Sequence, residues 1–251
     1  DLYALSMQEL VDLNTMNVVF DGQSSLERMA YWREHILKAL NRWDTEKYTI
    51  LREGNMVGVG LFIIVRNELK EYVTDVRVTT TPVGVLGVMG NKGAVACRLN
   101  IYDTSMCFIS THLASGQTQV EQRNSDYQQI MRRTNFGATQ APNDPSAVAI
   151  GAKPWRRVAI SPSFDLAIGD HELIVWMGDL NYRIDDMERE DIMACLAKQN
   201  LETLLAKDQL LQELGRGDAS PPPAFENFQE APITFAPTYV VPTLSPRTCF
   251  A

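Results

Sequence analysis

Apolar runs of strand length, each stopping at a polar cluster, alternate along this chain with stretches whose apolar positions repeat every three or four residues. Asp1 to Met7 reads as a buried strand, with Gln8 and Glu9 at its carboxyl end. Ser24-Ser25-Leu26-Glu27 fits a capping box, and Leu26, Met29, Ile36, Leu37 and Leu40 continue from it as a helical stripe. Met56 to Val65 is almost wholly apolar, which predicts a central strand covered on both faces. Gly90-Asn91-Lys92-Gly93 is turn chemistry between Val83–Met89 and Ala94–Tyr102, so a hairpin is expected there. Ser105 to Ser110 gives another strand, ending in Thr111-His112. A helix over Val120–Thr134 would present Val120, Tyr127, Ile130 and Met131 on one face. Glu172 to Met177 is a further strand, and it stops at Gly178.

Gly137 to Ser163 is rich in Ala, Pro, Gly and Asn and lacks any period, so a flexible insertion loop is expected over 137–163. Two helices are predicted after the strand that ends at Gly178, over 187–199 and 201–214, with Gly215 as a C-cap. Ile233-Thr234-Phe235 offers one last short strand. Strands outnumber helices and several are adjacent in sequence, a mixed α/β pattern rather than a doubly wound one.

Composition narrows the class without naming a function. At 251 residues, 45% apolar and 22% charged, the chain can bury a substantial core. No stretch approaches the roughly eighteen apolar residues of a membrane span, and the N-terminus lacks a signal peptide's basic flank. Four cysteines without paired zinc spacing imply neither a metal knuckle nor a disulfide scaffold, and point to a reducing cytosol. A net charge of −8 argues against broad nucleic-acid binding, although a local pocket can still be cationic. The Arg132-Arg133 and Arg156-Arg157 pairs read as solvated surface.

Three predicted strand ends carry candidate chemistry: Glu9, His112, and Asp179 with Asn181. A carboxylate such as Glu9 suits Mg²⁺, which prefers hard oxygen ligands and keeps several waters. His112 can donate to a phosphoryl oxygen or exchange a proton. Asp179 can orient and deprotonate a water, and Arg183 can hold a phosphate bidentately. Asp179 and Asn181 are two apart, so on an extended backbone they would share one face. Taken singly, Glu9 as an exposed carboxylate and His112 as a satisfied core histidine are the blander readings.

Their order and company carry a resemblance. Gln8-Glu9, Gly90-Asn91-Lys92-Gly93-Ala94-Val95, Ser110-Thr111-His112-Leu113-Ala114, Arg123-Asn124-Ser125-Asp126-Tyr127, Gly178-Asp179-Leu180-Asn181-Tyr182-Arg183 and Thr234-Phe235-Ala236-Pro237-Thr238-Tyr239 follow one another. Together they resemble the inositol polyphosphate 5-phosphatases, within the endonuclease/exonuclease/phosphatase superfamily. Gly116-Gln117-Thr118-Gln119 and Phe235–Tyr239 are most like the synaptojanin branch.

The resemblance implies a four-layered α/β sandwich of the DNase-I-like kind. It implies Glu9 as the Mg²⁺ ligand, His112 on the scissile phosphate, Asp179 as activator of water and Asn181 as stabiliser of the transferring group. Lys92, Asn91, Arg123, Asn124, Tyr182, Arg183 and Tyr239 would bind substrate or support the pocket. The implied reaction is hydrolysis of the 5-phosphate of a phosphoinositide or soluble inositol polyphosphate by direct attack of water. The implied protein is a cytoplasmic monomer, peripheral to membranes through its lipid substrate and without nucleic-acid partners. Two family motifs, an early Trp-Asn and a late Ser-Asp-His, lie outside the sequence. Residues 1–251 are therefore expected to be an incomplete catalytic domain, lacking its first strand and its C-terminal strands and of little activity alone. Val240 stands where relatives carry a lysine beside the tyrosine. The alternatives are a catalytically dead module that binds inositol phosphates, or a nuclease of the same superfamily.

Overall fold

A computed structural model of the chain describes residues 1–10, 22–43, 47–83, 92–137, 166–217 and 222–237. They fall into two compact units, 1–181 and 182 onward. The first contains β1 (Leu2–Gln8), α1 (Gly22–Leu40), β2 (Tyr48–Met56), β3 (Val59–Arg66), β4 (Val73–Val83), β5 (Lys92–Ile101), β6 (Thr104–His112), α2 (Val120–Arg133) and β7 (Leu173–Asp179). The strands make two sheets, ordered β1-β3-β2 and β4-β5-β6-β7. Neighbours are antiparallel except β6 and β7, which run parallel on either side of a connection that contains α2.

Side-chain alternation builds the layers. Along β3, Val59, Leu61, Ile63 and Val65 pack against Val95, Cys97 and Leu99 of β5 and Phe108 of β6, filling the space between the sheets. Phe62 and Ile64, on the opposite face, meet Met29 and Ile36 of α1. On the outer side of the second sheet α2 buries Tyr127 and Ile130, and the Tyr127 ring lies 5.1 Å from that of Trp176 on β7. The result is helix, sheet, sheet, helix: the expected four layers. Each fully buried Leu, Ile, Val or Phe contributes on the order of 1.5–3 kcal/mol, which makes this interior the main source of stability. Cys97 and Cys107 are free thiols inside it; burial pushes Cys107 up to about 12 and raises Cys97 as well, so both are inert.

Several sequence expectations shift. The apolar run from Met56 to Val65 is not one strand, because a turn at Val57-Gly58, with Gly58 at φ +75°, separates β2 from β3. Ser24 and Ser25 lie inside α1 rather than capping it, and Ser25 instead accepts a 3.0 Å hydrogen bond from Asn55. Leu26 is 62% exposed, off the buried stripe that Met29 and Ile36 define. The hairpin into β5 is formed by β4, whose Val83 pairs with Lys92; most of the proposed arm, 84–89, lies outside the described residues. So does nearly all of the 137–163 segment.

In the second unit the expected long helices are shorter: α3 is Arg189–Ala197, and the next divides into α4 (Leu201–Leu205) and α5 (Gln209–Leu214). The division falls at Asp208, which caps α5 by accepting from the Leu211 N–H and bridges to Ile184. Gly215 is the C-cap as expected. Ile233–Phe235 is not a strand; Phe235 is 61% exposed, with no sheet partner to fix it.

At the end of the second sheet away from Asp179, a buried ionic cluster interrupts the apolar layers. Arg98 donates to His171 Nε2 at 3.0 Å and to Asn100 at 2.8 Å, and forms an ion pair with Asp75, which Arg77 also engages at 2.6 Å. Arg77 reaches on to the carbonyls of Phe136 and Gly137. A guanidinium has no acceptor, so His171 Nε2 must accept, while its Nδ1 donates to the Ile168 carbonyl at 3.0 Å. Burial lowers the His171 pKa from 6.5, and the Arg98 charge adds to that. The unfolded chain therefore takes up this proton more readily than the folded one. The contribution of His171 to stability is full above pH 6.5 and declines as pH falls below it. Urea midpoints measured from pH 7.5 to 5 are expected to show this decline, with a flatter slope in His171→Gln.

Candidate active site

The parallel pairing of β6 with β7 sets the site. Its register places His112 opposite Asp179 and Thr111 opposite Gly178. The two strands come so close at Gly178, where φ is +126°, that a Cβ would lie 2.1 Å from the Thr111 carbonyl oxygen. Only glycine meets both demands. Thr111 further ties the strands together, donating to the Met177 carbonyl at 3.2 Å and accepting from the Trp176 indole at 3.1 Å.

His112 is 2% exposed, at the end of β6. Its Nε2 lies 2.5 Å from the Lys92 ammonium at the start of β5 and 3.4 Å from Asp179 Oδ2. The first contact is a hydrogen bond; the second is a long ion-pair contact. One ring nitrogen thus stands between a cation and a carboxylate. It accepts from Lys92 when His112 is neutral at that atom, and faces Asp179 when it carries the proton. Burial pushes the Asp179 carboxyl up, but the His112 hydrogen bond and charge, the Asn181 N–H and the Lys92 charge together outweigh burial. Its pKa stays below the ordinary carboxylate value, so Asp179 is ionised at neutral pH.

Asn181 does not share a face with Asp179 by strand alternation, as its spacing had implied. Its φ of +60° ends the strand, and Asp179 Oδ1 accepts from the Asn181 backbone N–H at 3.0 Å, an Asx-type turn. The Asn181 side chain folds back and donates to the Leu113 carbonyl at 3.0 Å, while the Leu113 N–H donates to the Asp179 carbonyl at 3.0 Å. The loops after β6 and β7 are therefore stitched together in both directions.

Arg123, expected to bind substrate or support the pocket, is fully buried. Its guanidinium donates to the carbonyls of Ala114 at 3.2 Å and Gly116 at 2.7 Å, while neighbouring Asp126 accepts from the Ala114 N–H at 3.0 Å. The pair on α2 holds the loop that follows His112. Burial raises the Asp126 pKa despite hydrogen bonds from Gln122 and Ala114. Asn124 is half-buried on the same helix.

Glu9 terminates β1 in the facing sheet, with φ at +55°, and is exposed. It borders a cleft also lined by Gln8, Arg28 and Trp32. Motif spacing gave no hint of Arg28; only helical phase, one residue from buried Met29, places it. Among the described residues no three His, Cys, Asp or Glu side chains converge as a metal cage. A single carboxylate completed by waters and phosphate oxygens is an arrangement Mg²⁺ accepts, so Glu9 fits such an ion. Tyr182 and Arg183 open the second unit. There the Tyr182 ring packs edge-on 6.3 Å from Phe225, and the Arg183 N–H donates to Gln209 at 2.9 Å. Asn91, Tyr239 and Val240 lie outside the described residues.

Endonuclease/exonuclease/phosphatase family 2 matches residues 1–245, and the chain belongs to that family. Within it the likeness is to synaptojanins. Human synaptojanin-1 is 34% identical over 239 residues, which are 95% of this chain and 13% of that protein. The Caenorhabditis elegans synaptojanin is 31% identical over 98% of this chain and 19% of that protein. The inositol polyphosphate 5-phosphatase domain of a synaptojanin, solved with inositol (1,4)-bisphosphate and calcium ion, superposes with a TM-score of 0.73 at 31% identity. That match covers 95% of this chain and 59% of the solved one. The four-layered sandwich is thus the DNase-I-like fold, and the resemblance seen in the motifs holds across the chain.

The Gly178 contact is directly testable. Gly178→Ala is expected to lower unfolding free energy by about 3 kcal/mol, from backbone strain and the clash with Thr111, as read by urea denaturation.

Proposed function

We propose that the chain supplies the catalytic part of a phosphatase that removes the 5-phosphate from phosphoinositides or soluble inositol polyphosphates by direct attack of water. The observation that carries this reading is the ionised Asp179 held against buried His112 and Lys92 at adjacent strand ends. Support comes from the solved synaptojanin domain, whose ligand is an inositol bisphosphate lacking a 5-phosphate.

In this reading Asp179 orients the attacking water and takes its proton. His112 and Lys92 face the phosphoryl oxygens, where charge spreads in the transition state, and fixed donors there act without reorganising. Asn181 is locked by the Leu113 carbonyl so that its amide stays at the transferring group. Glu9 would hold Mg²⁺, which when bound supplies Lewis-acid stabilisation and a template for phosphate. Asn91, Asn124, Tyr182, Arg183 and Tyr239 are proposed to contact or border the inositol phosphates. Arg123 instead fixes the 114–116 loop.

The substrate would be reached at a membrane surface when it is a lipid, by a cytoplasmic, peripheral, monomeric protein. Among the described residues no helix is long and apolar enough to cross a membrane.

Phosphate release from phosphatidylinositol 4,5-bisphosphate and soluble inositol 1,4,5-trisphosphate tests the reading in the protein that carries this chain. Asp179→Asn is expected to lower kcat by about 10² or more while the melting temperature holds. EDTA is expected to abolish release and Mg²⁺ to restore it. Normal turnover in Asp179→Asn would overturn the assignment.

A further inference from the structure

Two serines sit where the alternation along β1 and β6 calls for apolar side chains, and the motifs leave them unexplained. Ser6 on β1 and Ser110 on β6 point into the space between the sheets, and their hydroxyl oxygens are 2.7 Å apart. Ser110 is completely buried. It donates to the Gly60 carbonyl on β3 at 3.0 Å, and Gln8 Nε2 donates to Ser6 at 2.7 Å.

The direction of every proton in this chain follows. A hydroxyl has one hydrogen, so Ser110, which gives its own to Gly60, must accept from Ser6. Ser6 has then spent its hydrogen and must accept from Gln8. The order is Gln8 to Ser6 to Ser110 to Gly60, and Gln8 Nε2 also reaches Ser110 directly at 3.4 Å, which fixes the Gln8 amide orientation. Among the described residues the rest of the space between the sheets is filled by apolar side chains, whose contacts carry no direction. This polar bridge does not slide, because a broken link would strand a buried hydroxyl or carbonyl.

Its position gives it a consequence. Ser110 lies two residues before His112, and Gln8 immediately precedes Glu9. Beyond Glu9, whose φ of +55° turns the chain out of the strand, the Leu10 N–H is caught by the Gly58 carbonyl at 3.2 Å. Glu9 is therefore pinned on both sides.

We infer that Gln8, Ser6 and Ser110 are positioning residues that lock the two sheets in register at the catalytic end and so set the separation of Glu9 from His112. The inference rests on the proposed function for the roles of those two groups. The bridge itself stands on the hydrogen bonds.

The test uses the protein that carries this chain, as wild type, Ser6→Ala, Ser110→Ala and the double variant, with Ser6→Thr as the conservative rescue. Each alanine is expected to lower kcat, Ser110→Ala about tenfold and with little change in KM, and the double variant to be no worse than Ser110→Ala, which alone removes both links from β1. Threonine at 6 should keep wild-type turnover. Mn²⁺ titration supplies a readout independent of turnover. Paramagnetic broadening of the His112 ring signals should be strong in wild type and weaker in the alanine variants, whose melting temperatures must stay within a few degrees of wild type.

Wild-type kcat in the variants, or multiplying losses in the double, overturns the positioning role while leaving the hydrolase reading intact. Absent wild-type turnover with the predicted broadening pattern overturns the hydrolase reading and supports the positioning role. Absent broadening in a wild type that turns over removes the metal from Glu9 and overturns the positioning role.

Discussion

The close approach of β6 and β7 at Gly178 is the constraint on which the rest of the site depends. Parallel strands ordinarily leave room for a side chain on each face. Here a carbonyl of one strand fills the place where the other would carry a Cβ. The contact fixes which residue faces which, and so sets His112 beside Asp179 rather than beside a neighbour. Lys92 joins them because β5 is paired to β6 from the other side, with Gly93 opposite His112. Three groups from three strands meet without any of them lying on a long loop.

The layering explains why this end is polar and the interior is not. The space between the sheets is filled by Val, Leu, Ile and Phe until Ser6 and Ser110, where polar atoms begin, followed by Gln8 and His112. Only the imidazole of the Lys92–His112–Asp179 set is buried; the Asp179 side chain is 46% exposed, so its carboxylate faces water while His112 does not. At the other end of the second sheet, Arg98, Asp75, Arg77 and His171 form a cluster with a different task. It ties residues 136, 137 and 168 to the sheet, close to both ends of the segment that joins α2 to β7.

Much of this was legible in the sequence, for identifiable reasons. β1, β6 and β7 announced themselves because each is an apolar run ending in polar residues. Glu9, His112 and Asp179 could be named because strand ends are where such runs deliver chemistry. Hairpin position was harder to read: Met56–Val65 has no polar break, and only Gly58 marks the turn. Asn181 was placed on the correct loop for a mistaken reason, since period-2 alternation ends where φ turns positive. Arg123 was expected, from its motif, to bind substrate or support the pocket, and the sequence could not decide between the two. Burial is a tertiary property, and nothing local distinguishes a guanidinium aimed at carbonyls from one aimed at a ligand. Ser6 and Ser110 drew no reading of their own from the sequence, because their partnership spans 104 residues and needs the fold.

The central claim is that an ionised Asp179 at this strand end directs water onto the 5-phosphate, and one isotope experiment tests it most directly. Turnover of inositol 1,4,5-trisphosphate in ¹⁸O-water should release the phosphate from the 5-position carrying a single ¹⁸O, with none in the new ring hydroxyl and no phosphorylated protein trapped by acid quench. Label in the ring hydroxyl, loss of a different phosphate, or a covalent phosphoenzyme would contradict it.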